Sequence, residues 1–258
     1  MLKNGLNTRG LKFIAATAML IDHFAATVLT DALVEAHLAV KYTNLFSLDA
    51  YPPEYRALVA SYCVARLIGR TAFPIFCFLA SEGYHYTKSV PKYLARLLTF
   101  AIISEIPFDY AFFPSPFYAD AQNVLFTLAL GVAAIWGYDL ITDALKRVKH
   151  FPSAALPLVA ATAPALCAYE AYLLKTDYSF FGVILVFIFG ALRTKPRYRT
   201  LAAFAACAWE HTAVLALIPI GLYNGEKGRE GKYTFYVFYP AHMVILKLIA
   251  VLISKISA

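Results

Sequence analysis

The chain has 258 residues, 60% of them hydrophobic and only 15% charged, against about 45–50% apolar and about 25% charged in soluble domains. That balance excludes a soluble globular protein, and the length suits one helical membrane domain, 1–258, with no second soluble domain. The formal charge of +7 does not indicate a nucleic-acid partner, because Lys and Arg cluster in short loops between apolar segments.

At about 20 residues per crossing, the apolar stretches predict eight transmembrane helices, roughly 11–30, 57–82, 94–113, 123–142, 154–174, 178–193, 200–223 and 233–254. The expected fold is therefore an all-α, polytopic integral membrane bundle. With the N-terminus in the cytoplasm, beside Lys3, Arg9 and Lys12, the inside loops hold 14 basic residues and the outside loops 6, as the positive-inside rule requires. One loop resists this scheme. NGEKGREGK (224–232) is too basic for an outside loop. Either Glu226 and Glu230 balance its charge, or one span near 200–223 is not a simple crossing. Cys63, Cys77, Cys167 and Cys207 fall in apolar segments without CxxC spacing, so they read as packing residues, and no metal site is expected. The loop at 31–56, with Tyr42, Phe46, Tyr51 and Pro52-Pro53, is either a cover over an outward-facing site or an interfacial aromatic belt.

The first span, LKFIAATAMLIDHFAATVLT, carries Asp22 and His23. At about 1.5 Å rise per residue the pair lies about 16 Å in from Leu11, near the middle of a hydrocarbon core about 30 Å thick. Ionisable groups there face a protein interior or a polar cavity and mark functional sites. The second span has Arg66 and Arg70 at i and i+4, with Pro74 beyond. The third has Arg96 at its start and Glu105 and Asp109 on one face. The fourth opens with Gln122-Asn123, the seventh has Glu210-His211, and the eighth has His242 and Lys247. Plainer readings stand beside each. The arginines fit ion pairs that fix helix packing, Gln122 and Asn123 fit a helix cap, and His211 and His242 fit satisfied core histidines.

Lys12 and His23 are 11 residues apart, which is three turns plus about 20°, so they share one stripe about 16 Å long. A cation at one end and an imidazole at the other suit a long ligand with an anionic head and a reactive tip, the shape of a coenzyme A thioester. Asp22, about 100° further round, faces elsewhere and is expected to pair with Arg66 or Arg70.

The ordered set LKFIAATAMLIDH, RLIGRTAFPIFCFLASEGYHYT, YLARLLTFAIISEIPFD, QNVLFTLALG, YNGEKG and FYVFYPAHMVIL resembles the TraX family of membrane acetyltransferases, named for the protein that acetylates the N-terminus of conjugative pilin. More distantly, a basic residue eleven positions ahead of a histidine, with ten residues between them, resembles the broad transmembrane acyltransferase superfamily, with Lys12 where that superfamily usually has arginine. Lysine keeps the charge and gives up bidentate phosphate recognition.

The resemblance implies acetyl or short-acyl transfer from a cytoplasmic acyl-coenzyme A to an acceptor at or across the membrane, in a multi-pass protein of the bacterial inner membrane. No tightly bound cofactor is implied, since acetyl-coenzyme A is a co-substrate. On that reading His23 is the general base, with Asp22 beside it and Glu105 or Asp109 as the carboxylate that orients it. Arg66, Arg70 or Asn123 stabilises the oxyanion. Lys12, Arg70 and Arg96 are candidates for the coenzyme A phosphates, and His242 joins the donor-binding set. The acceptor is left open among a protein N-terminus, a polysaccharide, a lipid and a small molecule. A proton-coupled transporter or channel using the same intramembrane Asp, His, Arg and Glu is the competing class, and a scaffold subunit with a structural polar core is a third.

Overall fold

The computed structural model describes residues 5–229, 231 and 233–257, four of them (Tyr42, Trp209, His211 and Ser257) by backbone alone. Lys3, Glu230 and Lys232 lie outside the described residues. The described residues are largely helical, with no strands among them. Five stretches are long and apolar enough to cross a membrane: Thr8–Glu35, Pro53–Tyr86, Val124–Lys146, Leu156–Leu173 and Thr234–Ile256. They match five of the eight expected spans.

The remaining three expected spans differ for separate reasons. The helix Val90–Phe112 carries Lys92, Arg96, Glu105 and Asp109, too many charges for a plain crossing. The helix Ser179–Ala191 has 13 residues, about 20 Å of helix. The stretch expected at 200–223 is three pieces: α10 (Pro196–Cys207), the 3-10 helix Ala208–Ala216 and the short α11 (Leu217–Gly221).

The chain forms two compact units. Unit 1 takes in the described residues up to Ile75, then Ile106–Tyr118, then those from Glu210 onward; unit 2 is Phe76–Glu105 and Ala119–Trp209.

Unit 1 is built on α1 (Thr8–Phe24), which continues through a π-helical turn, Ala25–Leu29, into α2 (Thr30–Glu35). Asn7 caps α1, its side chain accepting from Gly10 N at 3.0 Å. Inside the π turn, Thr27 Oγ1 donates to the His23 carbonyl at 2.7 Å and Thr30 Oγ1 to that of Ala25 at 3.0 Å. These hydroxyls satisfy carbonyls at the distorted turn.

α3 (Arg56–Gly69) ends where α4 (Ala72–Tyr86) begins. Pro74 accounts for the break, since a proline ring excludes the carbonyl four residues earlier, here that of Arg70. Thr71 N turns back to Ile68 O at 3.1 Å. That leaves the Leu67 carbonyl without the helical bond it would have had from Thr71, and Thr212 of the 3-10 segment donates its hydroxyl to it. Gly69 is buried because α1 approaches here: a Cβ on Gly69 would overlap the Asp22 side chain. The 31–56 loop folds onto this base. Leu38, Val40, Leu45, Leu48 and Tyr51 pack on Leu33, Val59 and Cys63.

α12 (Thr234–Ser257) runs parallel to α1. Lys12 meets Phe235, His23 meets His242, and Asp31 meets Lys247, in the same order along both helices. The buried residues of α12 (Tyr239, His242, Met243, Leu246 and Ala250) recur at helical spacing. The loop before α12 is tied to the start of α1: Leu6 N donates to Leu222 O at 2.8 Å, Asn224 N to Leu6 O at 2.8 Å, and Thr8 N to Glu226 O at 3.0 Å. Gly225, at φ 83°, makes the turn. The 224–228 stretch therefore sits beside the start of α1. A position at that end does not suit an outside loop in a scheme of eight complete crossings with α1 entering from the inside.

In unit 2, the short α7 (Leu156–Ala160) leads into α8 (Thr162–Leu173), which packs closely with α6 (Val124–Lys146) and α9 (Ser179–Ala191) around Ala134, Ala171 and Val183. Gly131 and Gly190 lie against Val186 and Ile135 with no room for a Cβ, the close approach that small residues permit between membrane helices.

Candidate functional site

The two adjacent titratable residues of α1 face different partners. Asp22 points to α3. Arg66 Nη1 donates to Asp22 Oδ2 at 2.8 Å, and Arg70 Nη2 lies 3.9 Å from Oδ1. Arg70 Nη1 is also 3.6 Å from Glu210 Oε2 of the 3-10 segment. The Asp22 and Arg66 side chains are 14% and 20% exposed. Two guanidiniums and two carboxylates thus gather where α3 breaks, and their charges cancel.

His23 points to α12. Its Nδ1 lies 2.7 Å from His242 Nε2. The ring centroids are 4.9 Å apart and the planes differ by 14°. With so short an N···N contact, that separation puts the rings nearly coplanar and end to end, with the hydrogen bond in the ring plane. His242 Nδ1 lies 2.9 Å from the Phe238 carbonyl, and its ring stacks on Phe238. The Phe112 ring meets His23 edge-on at 4.9 Å. Lys12 lies over the Phe235 ring at 5.5 Å, an arrangement that favours a cation. Lys12 and His23 therefore both face α12, as their shared stripe requires.

A carboxylate is expected against His23, and a second imidazole stands there instead. Asp109, also in unit 1, accepts the Tyr118 backbone N–H at 2.7 Å and so closes the turn after α5 (Val90–Phe112). Glu105, in unit 2, takes the Asn123 side-chain amide, at the N-terminus of α6 where a negative charge is favoured. Asn123 is fully buried. Its Nδ2 also donates to Ala101 O at 2.8 Å, and its Oδ1 accepts from Leu125 N at 3.1 Å. These bonds make it the cap of α6, the plainer of the two readings of that residue. Arg96 lies over the Tyr93 ring at 5.4 Å, within unit 2.

Three pairings escape the sequence reading. Glu82, only 2% exposed, receives Arg193 Nε at 2.8 Å and Nη2 at 3.3 Å, the bidentate geometry that suits a buried ion pair. Lys247 Nζ lies 3.5 Å from Asp31. Glu210 completes the arginine cluster. Charge matching offers a signal for that last one, since two arginines within spans need two carboxylates. Among the described residues no three His, Cys, Asp or Glu side chains gather to hold a metal ion, and the four cysteines are free.

Comparison with known proteins gives two matches of wide reach. A family model described as TraX protein matches residues 7–250. The chain is 27% identical over 266 residues to "Probable fimbrial assembly protein FimC, serogroup H1" of Dichelobacter nodosus, with 92% of each chain covered. No solved structure matches. The family match begins at the Asn7 cap of α1 and ends at Ala250 on α12, so it takes in both helices that carry the histidines, and the chain belongs to the TraX family.

Proposed function

We propose that this chain is a membrane-embedded acyltransferase. It moves an acetyl or other short acyl group from acyl-coenzyme A to an amine or hydroxyl acceptor, with His23 as general base. The observation that carries this reading is the shared face of Lys12 and His23 toward α12. A cation at the start of the helix and an imidazole about 16 Å further in match a thioester with an anionic head and a reactive carbonyl. Lys12 takes phosphate charge at the entrance. The acceptor's nitrogen or oxygen attacks the thioester carbonyl, its proton passes to His23, the C–S bond breaks, and the proton leaves with the coenzyme A thiolate.

Family membership supports the class of reaction, and the likeness to a probable fimbrial assembly protein of Dichelobacter supports a fimbrial subunit as the acceptor. On this reading the protein sits in a bacterial inner membrane with its N-terminal end and the 224–228 loop toward the donor. The test uses the full chain in lipid vesicles with acetyl-coenzyme A and a short peptide bearing a free N-terminal amine. Thiol release and peptide acetylation are expected, with His23→Ala lowering the rate by about 10²–10⁴-fold. A folded His23→Ala protein with full transfer, or solute movement without thioester cleavage, overturns the proposal.

A further inference from the structure

We infer that His242 is a positioning residue that holds His23 in one tautomer, protonated on Nδ1, so that Nε2 of His23 is the nitrogen that takes the acceptor's proton. The chain of bonds fixes this. The Phe238 carbonyl can only accept, so the Nδ1 that lies 2.9 Å from it donates, and His242 carries its proton there. A neutral His242 then has a bare Nε2. That lone pair lies 2.7 Å from His23 Nδ1, in the plane of both rings. His23 must supply the proton, because two lone pairs at that distance repel. The proton of neutral His23 is thereby placed on Nδ1, and Nε2 is left as the base. The reverse assignment leaves a lone pair of His242 facing the Phe238 oxygen.

The arrangement is a relay with imidazole in the place a carboxylate takes in a catalytic triad. When Nε2 of His23 accepts the proton, the positive charge is shared along the bond to His242, whose own Nδ1–H stays on a carbonyl dipole. A neutral second imidazole also keeps a net negative charge out of the middle of a membrane helix, where it is costly. Only the statement about the acceptor's proton rests on the acyl-transfer reading; the tautomer rests on geometry alone.

The test is solid-state NMR of the full chain, labelled with ¹⁵N-histidine, in lipid bilayers. Expected are two neutral imidazoles protonated on Nδ1, assigned by their loss in His23→Ala and His242→Phe. A coupling across the Nδ1–H···Nε2 bond joins them. His23 protonated on Nε2 in the wild-type chain overturns the inference, whether or not the protein transfers acyl groups. Kinetics supplies the second arm. His242→Phe keeps the ring but has no acceptor, and is expected to lower kcat by about 10- to 100-fold, the scale seen for partners that orient metal-bound imidazoles, with KM for acetyl-coenzyme A unchanged. His242→Gln, which restores an acceptor, is expected to recover much of that loss. Equal activity of His242→Phe and wild type, with the His23 tautomer unmoved, refutes the positioning role. Absence of thioester turnover in the wild type refutes the transferase reading and leaves the tautomer result standing.

Discussion

Asp22 and His23 share a peptide bond and serve different neighbours. Asp22 holds Arg66 and lies beside Arg70, so removing its charge leaves two guanidiniums with Glu210 as the carboxylate of the cluster. Asp22→Asn is expected to destabilise the fold by about 3–5 kcal/mol, the scale of breaking one partner out of a buried pair, read as a lower thermal midpoint in detergent. Adding Arg66→Gln restores charge balance, so the double variant is expected to lose less than the sum of the single ones. Losses that simply add refute the coupling. The split between the two residues is legible in the sequence, because about 100° separates neighbours on a helix and the arginines at i and i+4 present one face. The partner of His23 is not. His242 is 219 positions away, and nothing local in either helix says that one imidazole meets another. A carboxylate is the expected partner because Glu105 and Asp109 are the carboxylates of the third span. Each is instead drawn to a backbone or amide N–H at a helix end or turn.

At the level of elements, the site depends on a helix that stops. Pro74 ends the second span's first half at Arg70, and the 3-10 segment supplies Thr212 and Glu210 to the groups exposed there. The proline is plain in the sequence, but its effect is not, since membrane helices often tolerate proline within a span. The 3-10 segment is illegible for the same reason: its apolar composition reads as a crossing whatever its hydrogen bonding. Gly69 is the contact that lets α1 lie against α3. Gly69→Ala is expected to push α1 outward and to destabilise by about 1–3 kcal/mol, as overpacking does, with a matching loss of transfer activity because Asp22 and His23 move together. Unchanged stability shows that the helices do not touch there.

For the whole molecule, sidedness follows from unit 1. The loop at 224–228 joins the start of α1, and α12 runs parallel to α1, so residues 5 and 255 lie at opposite ends of that unit. Eight complete crossings bring both ends to one side, and the parallel pair does not allow it. In a cysteine-replaced chain in sealed vesicles, Gly5→Cys and Lys227→Cys are expected to react with an impermeant maleimide from one side and Lys255→Cys from the other. Residues 5 and 255 labelled from the same side refute the arrangement. Hydropathy shows where apolar helices lie and is blind to whether each one finishes its passage. The excess of basic residues at 224–232 is where the sequence itself strains against eight complete crossings.

The π turn at Ala25–Leu29 sets the phase of everything beyond it. Eight residues separate His23 from Asp31, and in an unbroken α-helix that spacing turns Asp31 about 80° away from the His23 face. A π turn absorbs one additional residue, so the effective spacing is seven and the offset falls to about 20°. That is why Asp31 reaches Lys247 on the same helix that His23 faces. Deletion of one residue from 25–29 would leave an unbroken α-helix with a spacing of seven, so the far half would keep its face on α12; regularising the turn without a deletion would instead rotate Asp31 about 80° off that face.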